Sequence, residues 1–242
     1  MIHRRVGEKY TTNEGYEVEI TEYFGKENCT ILFCDGTILH NRIYFHIKEG
    51  GVKNPNHRTV FNVGFSGQGR HVPTIKRKLT KKYRVWTSMF ERCYNNKNPT
   101  YAEAFVCEEW HNFQTFGDWF EENYNPDIME GWELDKDFLI KGNKIYSPET
   151  CSFVPKEINT LILKSYKKRG ELPIGVRALP SGRYQARTAN KVYGTFDTPE
   201  EAFQAYKTAK EKHIKEVADK WRGKITEQVY QAMYNYKVEI ID

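Results

Sequence analysis

Four groups of residues in this chain have types and spacings that could do chemistry. Asp135, Lys136 and Asp137 stand in a row within WELDKDFLI. Strand alternation there would place the two carboxylates on one face and turn Lys136 away. Clustered acids can hold a metal ion, and a carboxylate can accept a proton from water. Arg183, Gln185 and Arg187 alternate through RYQAR, so their forked ends would share a strand face while Tyr184 and Ala186 face inward. Such forks read base edges, and Arg also clamps phosphates. Lys76, Arg77, Lys78, Lys81, Lys82 and Arg84 form a run with no acid among them. It would track phosphates as a linker or solvate the start of a helix. Finally, Cys93, Cys107 and Cys151 with His111 could supply a Cys₃His set. Structural zinc usually shows a close Cys-x-x-Cys pair, and none exists here, so the sequence argues against structural zinc and for buried thiols. GFSGQG lacks the Gly-Lys-Ser/Thr of a phosphate loop.

The elements that must position these groups are short. The chain has 242 residues, of which 39% are hydrophobic, 29% charged and 14% aromatic. With 16 Tyr, 14 Phe and 5 Trp it is too aromatic for a disordered chain. Its mean hydropathy is −0.75, and no run approaches the ~20 apolar residues of a membrane helix. The start, MIHRRVGEKY, has no apolar h-region, and five cysteines are an odd number for a disulfide framework. These features point to a reducing cytoplasm. The net charge of +5 is modest, but it is segregated. Glu103 to Asp137 holds eleven acids against one base, whereas Lys156 to Arg187 holds eight bases against two acids.

Pattern divides the chain into four segments. Residues 1–75 read as a β module: YEVEITEYF alternates with Val18 and Ile20 inward, followed by CTILF, an Asp35-Gly36 turn and TILHNRIYF, and short strands with tight turns suggest a small barrel or sandwich, barrel-like in build. Residues 76–167 open with two aromatic-striped helices, KKYRVWTSMFERCYN and EEWHNFQTFGDWFEENY. A strand–turn–strand and a short helix over about 155–164 follow. Residues 168–221 read as three strands, GVRAL, RYQARTA and KVYGTF, and a helix opened by the capping box Thr198-Pro199-Glu200-Glu201. That helix would bury Ala202, Ala205, Tyr206, Ala209, His213 and Val217. Residues 222–242 form a short helix and tail. The fold class is α+β.

Two stretches carry a family resemblance. IGVRALPSGRYQARTANKVYGTFDTPEEAFQAY (174–206) resembles the Apetala-type DNA-binding domain, whose sheet lies in the DNA major groove. The resemblance implies Arg177, Arg183, Gln185, Arg187 and Lys191 as DNA contacts, and the run Lys76, Arg77, Lys78, Lys81, Lys82 would add affinity. YRVWTSMFERCY…VCEEWHNF…LDKDFLIKGNKIYSPETCSFVPKEIN resembles, in a divergent form, the phage-type HNH endonucleases, whose ββα unit holds one divalent metal. By that resemblance Asp135 and Asn159 are metal ligands. Asp135, Lys136, Asp137 and Asn159 are then the catalytic set, and Mg²⁺ or Mn²⁺ is the cofactor. The sequence departs from the family pattern: Lys136 occupies the catalytic His position and Thr150 the central Asn. A lysine between two carboxylates is a poor general base.

The expectation is a phage-encoded protein in the cytoplasm of an infected bacterium. It would bind double-stranded DNA and act as a metal-dependent nicking or homing endonuclease, with no membrane and no small-molecule cofactor. The alternative is a non-cleaving scaffold of the same build, serving as a DNA-binding regulator or as an inhibitor of a host protein.

Overall fold

In the computed structural model, residues 5–95, 97, 99–161 and 172–240 are described. The chain divides into two compact units, 1–120 and 121–242. The architecture is mixed, with several small antiparallel sheets and six α-helices among the described residues. None of those helices is long and apolar enough to cross a membrane.

In the first unit the alternation of YEVEITEYF produces a strand. β1 (Lys9–Thr11), β2 (Glu17–Gly25), β3 (Asn28–Phe33) and β4 (Ile38–Arg42) pair antiparallel in the order β1-β2-β3-β4. Val18, Ile20, Ile31 and Phe33 are buried with Ile47 of α1 (Tyr44–Lys48). The sheet is open, which corrects the expected barrel: β1 and β4 remain edges and do not pair to close it. The reading of TILHNRIYF as one strand is also corrected. Asn41 has φ 54°, β4 stops at Arg42, and the apolar Ile47 then folds over the sheet on α1.

The basic run is not a linker. β5 (Thr74–Ile75) and β6 (Lys78–Leu79) pair with Thr74 opposite Leu79 and Ile75 opposite Lys78, leaving Lys76 and Arg77 as the turn. α2 (Lys81–Tyr94) starts beyond it, with Thr80 Oγ1 accepting from the Tyr83 N–H as N-cap. Its buried stripe is Trp86, Met89, Phe90 and Cys93. The strand β7 (Phe105–Val106) precedes a 3₁₀ turn, Glu108–His111, and α3 (Phe113–Asn123), which buries Phe113, Phe116 and Phe120. The Trp86 indole N–H donates to the Trp110 carbonyl at 2.7 Å, and the Trp86 and Phe113 rings lie 5.2 Å apart. This aromatic core compensates for the scarcity of aliphatic residues.

In the second unit, β8 (Glu133–Asp135) pairs antiparallel with β10 (Ser152–Val154), and α4 (Lys156–Leu161) follows directly. β9 (Ile145–Tyr146) lies within the connection. The end of the expected helix at 162–164 and the expected boundary at 167/168 lie outside the described residues. β11 (Val176–Ala178), β12 (Tyr184–Arg187) and β13 (Val192–Phe196) form a three-stranded antiparallel sheet in chain order, and α5 (Pro199–Trp221) packs on it. The Thr198–Glu201 capping box is formed in both directions. Ala202, Tyr206 and Val217 are buried as expected, but His213 is exposed beside Glu216, and Ile214 takes the inward position. The apolar stripe passes from 206 to 214 and 217, so residue 213 falls on its solvent side. α6 (Glu227–Tyr234) packs on α5. At its C-terminal end, α5 meets α4 through Lys220 and Trp221, which both donate to the Glu157 carboxylate.

Candidate nucleic-acid interface and carboxylate cluster

The register of the C-terminal sheet separates its two faces. Val176, Ala186 and Gly194 lie side by side, and Ala186 is fully buried beneath α5. One residue along each strand, Arg177, Gln185 and Thr195 form the matching row on the opposite face. Arg177 is exposed and Gln185 half-buried, and neither side chain makes a hydrogen bond or ion pair among the described residues. Arg183, just before β12, donates from Nε to Asp197 at 2.8 Å and from its terminal nitrogen to the Thr195 carbonyl. Arg187 sits at a bulge and bonds the Thr188 and Ala189 carbonyls. Exposed Lys191 lies 5.6 Å from the Tyr193 ring. The three arginines thus fall into two classes: Arg177 is unengaged, while Arg183 and Arg187 are anchored locally.

Backbone geometry fixes where β11 runs. Gly175 has φ +75°, and a Cβ there would lie 2.1 Å from the Tyr206 ring. Only glycine allows α5 to close this tightly on the strand that carries Arg177.

The carboxylate cluster begins where β8 ends. Asp135 Oδ1 accepts the backbone N–H groups of Asp137 (3.0 Å) and Phe138 (2.7 Å), which turns the chain out of the strand. Asp137 therefore does not share a strand face with Asp135, contrary to expectation, although its charge still reaches it. Burial first, and the Asp137 carboxylate second, push Asp135 up to about 6.

Lys136 is likewise not turned away from the carboxylates. It is buried, and Nζ donates to the Asn143 carbonyl at 3.0 Å and to Asp137 Oδ2 at 3.2 Å. Asn143 returns two bonds, to the Lys136 and Ile145 carbonyls, closing the loop. Thr150 is buried and donates to the Ile145 carbonyl, a structural bond within the same loop. In these two hydrogen bonds Lys136 is the donor, whereas a general base must accept a proton.

Asn159, on α4, donates from Nδ2 to Glu133. Sequence reasoning missed Glu133, although it lies two residues before Asp135 and so on the same strand face. Glu133 and Asp135 on β8 and the Asn159 amide on α4 are hard oxygen donors of the kind a divalent Mg²⁺ or Mn²⁺ takes. The Lys136 ammonium on Asp137 adds a positive charge that such an ion would have to tolerate. Among the described residues no group of three or more His, Cys, Asp and Glu side chains converges as a metal cage. His111 Nε2 faces the Val106 carbonyl at 3.1 Å, and none of the five cysteines is in a disulfide.

The remaining sequence candidates sit in the first unit. Lys76, Arg77 and Lys78 are exposed on the hairpin, whereas Lys81 and Lys82 are half-buried. Lys82 Nζ lies 2.8 Å from Nδ1 of buried His71, whose Nε2 meets Asp118 at 3.0 Å. Compared with known protein families, curated proteins and solved structures, the chain gives no match in any of the three.

Proposed function

We propose that this chain is a phage-encoded double-stranded DNA-binding protein that reads its target with the outer face of β11–β13, in the manner of an Apetala-type sheet. The observation that carries this reading is the row of Arg177 and Gln185. Both present unengaged hydrogen-bonding ends on one face, while the opposite face is sealed by α5. A bare, charged sheet face of this kind suits the major groove, where Arg pairs with guanine and Gln with adenine. Around that row Lys191, and Arg183 and Arg187 from their local anchors, would meet backbone phosphates. Anisotropy titration with random and selected duplexes tests it. Arg177→Ala with Gln185→Ala is expected to erase discrimination between duplexes, each bidentate contact being worth about 1–3 kcal/mol. Unchanged discrimination in the double variant would sink the assignment.

A second reading concerns hydrolysis at β8–β10–α4, and the placement of Glu133, Asp135 and Asn159 across one strand and the following helix supports it. In this HNH-like reading Asp135 and Asn159 would hold Mg²⁺ or Mn²⁺, and the ion would supply charge stabilisation on the scissile phosphate. Asp137 would accept the proton of water, with Lys136 holding its carboxylate in place. Nicking of supercoiled plasmid with either ion, lost in Asp135→Ala and Asn159→Ala, is the expected result. DNA bound but left intact under every ion favours the non-cleaving scaffold, which Lys136 in the His position supports. Lys136→His would then be the variant to gain cleavage. A host protein held by the acidic segment 103–137 remains the alternative partner, and its capture after complete digestion of nucleic acid would favour it.

A further inference from the structure

The hairpin that the basic run forms is built in a costly way. A two-residue β-hairpin favours turns with both central residues at positive φ, and Asn-Gly supplies that geometry most cheaply. Here the two positions are Lys76 (φ 49°) and Arg77 (φ 64°), long side chains that rarely adopt it. Folding alone gives no reason for that choice, and residues that break a local rule tend to mark functional sites.

The base of the hairpin is pinned while its tip is bare. The Thr80 N–H donates to the Pro73 carbonyl at 2.9 Å, and Thr80 Oγ1 donates to the Val72 carbonyl. One residue further back, the His71 N–H donates to Gln114 Oε1 on α3. Every residue from Thr74 to Leu79 is exposed, including the apolar Ile75 and Leu79. Lys76, Arg77, Lys78 and Arg84 make no ion pair among the described residues, and no acid lies between Lys76 and Arg84. The result is a short, held ribbon with unneutralised cations at its end and apolar side chains along its flanks.

We propose that this hairpin is a second, separate DNA contact: a β-ribbon arm that enters a groove of the duplex, with Lys76 and Arg77 against phosphates and Lys78 and Arg84 behind them. Two-stranded ribbons fit the major groove, and apolar side chains beside an inserted tip are a feature of groove-entering arms. The charge is of the right sign and is not spent inside the protein. This inference rests on the DNA-binding reading for its partner but not on the sheet.

The test is the full chain carrying Lys76→Asn and Arg77→Gly. This pair keeps the left-handed turn and favours it, so the hairpin is retained while two charges are removed. Binding to one duplex is measured between about 50 and 200 mM salt, and the slope of log affinity against log salt is expected to become shallower by roughly 1.8, about 0.9 for each phosphate that the arm no longer neutralises. Arg177→Ala with Gln185→Ala is measured alongside. An unchanged slope in the hairpin variant overturns the arm and leaves the sheet reading intact. A changed slope there, with wild-type affinity and discrimination in the sheet variant, supports the arm and overturns the sheet. Failure of the parent chain to bind duplex at low salt overturns both.

Discussion

Gly175 and Gly182 offer a matched pair that tests how the β11–β13 sheet is held. Gly175 has φ +75° and Gly182 has φ +80°, so alanine at either position meets the same left-handed backbone penalty. That penalty is about 1 kcal/mol, and the ordering gained in the unfolded chain is common to both variants. The surroundings differ. A Cβ at Gly182 meets nothing within 4 Å, whereas at Gly175 it falls 2.1 Å from the ring of Tyr206, itself 5% exposed in the sheet–helix core. Overpacking a filled core costs about 1–3 kcal/mol. Gly175→Ala is therefore expected to lose about 2–4 kcal/mol and Gly182→Ala about 1 kcal/mol. Urea unfolding gives the global values, and amide exchange at Tyr184–Arg187 reports the sheet itself, because the Arg187 N–H donates to the Gly175 carbonyl at 2.8 Å. DNA affinity should fall with the stability of the sheet. Equal losses in the two variants would refute the claim that Tyr206 closing onto Gly175 positions β11 and its Arg177.

Other outcomes follow from the same structure. Asp135 is raised from 3.8 to about 6, so the folded state holds its proton more tightly than the unfolded chain. Its contribution to stability is full below pH ~4 and lost as pH rises to ~6, a fall of at most about 3 kcal/mol. In EDTA the Asp135→Asn variant should show a flatter stability profile across that window, and a profile identical to the parent's would contradict it. Lys136→Met takes this donor from the carbonyl of half-buried Asn143 and is expected to cost about 1 kcal/mol in urea titration. Thr198→Ala takes the side-chain acceptor from the Glu201 N–H, leaving only the backbone half of the capping box at α5, and should lower stability by about 1 kcal/mol, read as a lower thermal midpoint.

Local signals in the sequence carried far where one face was buried. The turn Pro180-Ser181-Gly182, the alternation of Tyr184 to Arg187 and the Thr198–Glu201 box each name an element that the structure contains. Ala186 under α5 and Gln185 on the other face follow from period two alone. Reading failed where a tertiary contact overrode the period. At Asp135 the side chain captures two backbone N–H groups, so alternation ends one residue before Lys136, and the lysine turns in to Asn143 and Asp137. Glu133 was legible by the same alternation, but Asn159 sits on α4, and nothing local links it to residue 133. Lys76-Arg77 gave no sign of a hairpin because neither residue favours a left-handed turn. The barrel was inferred from short strands and tight turns, and closure depends on whether distant edges pair, which no local pattern encodes.

The measurement closest to the central claim is a titration of the isotopically labelled full chain with duplex DNA, followed by backbone and arginine side-chain resonances. The account expects the largest changes along Arg177, Gln185 and Thr195, and at the Arg177 guanidinium, while Val176, Ala186 and Gly194 beneath α5 change little. Saturation with duplex that leaves the Arg177–Gln185–Thr195 row unmoved would contradict it.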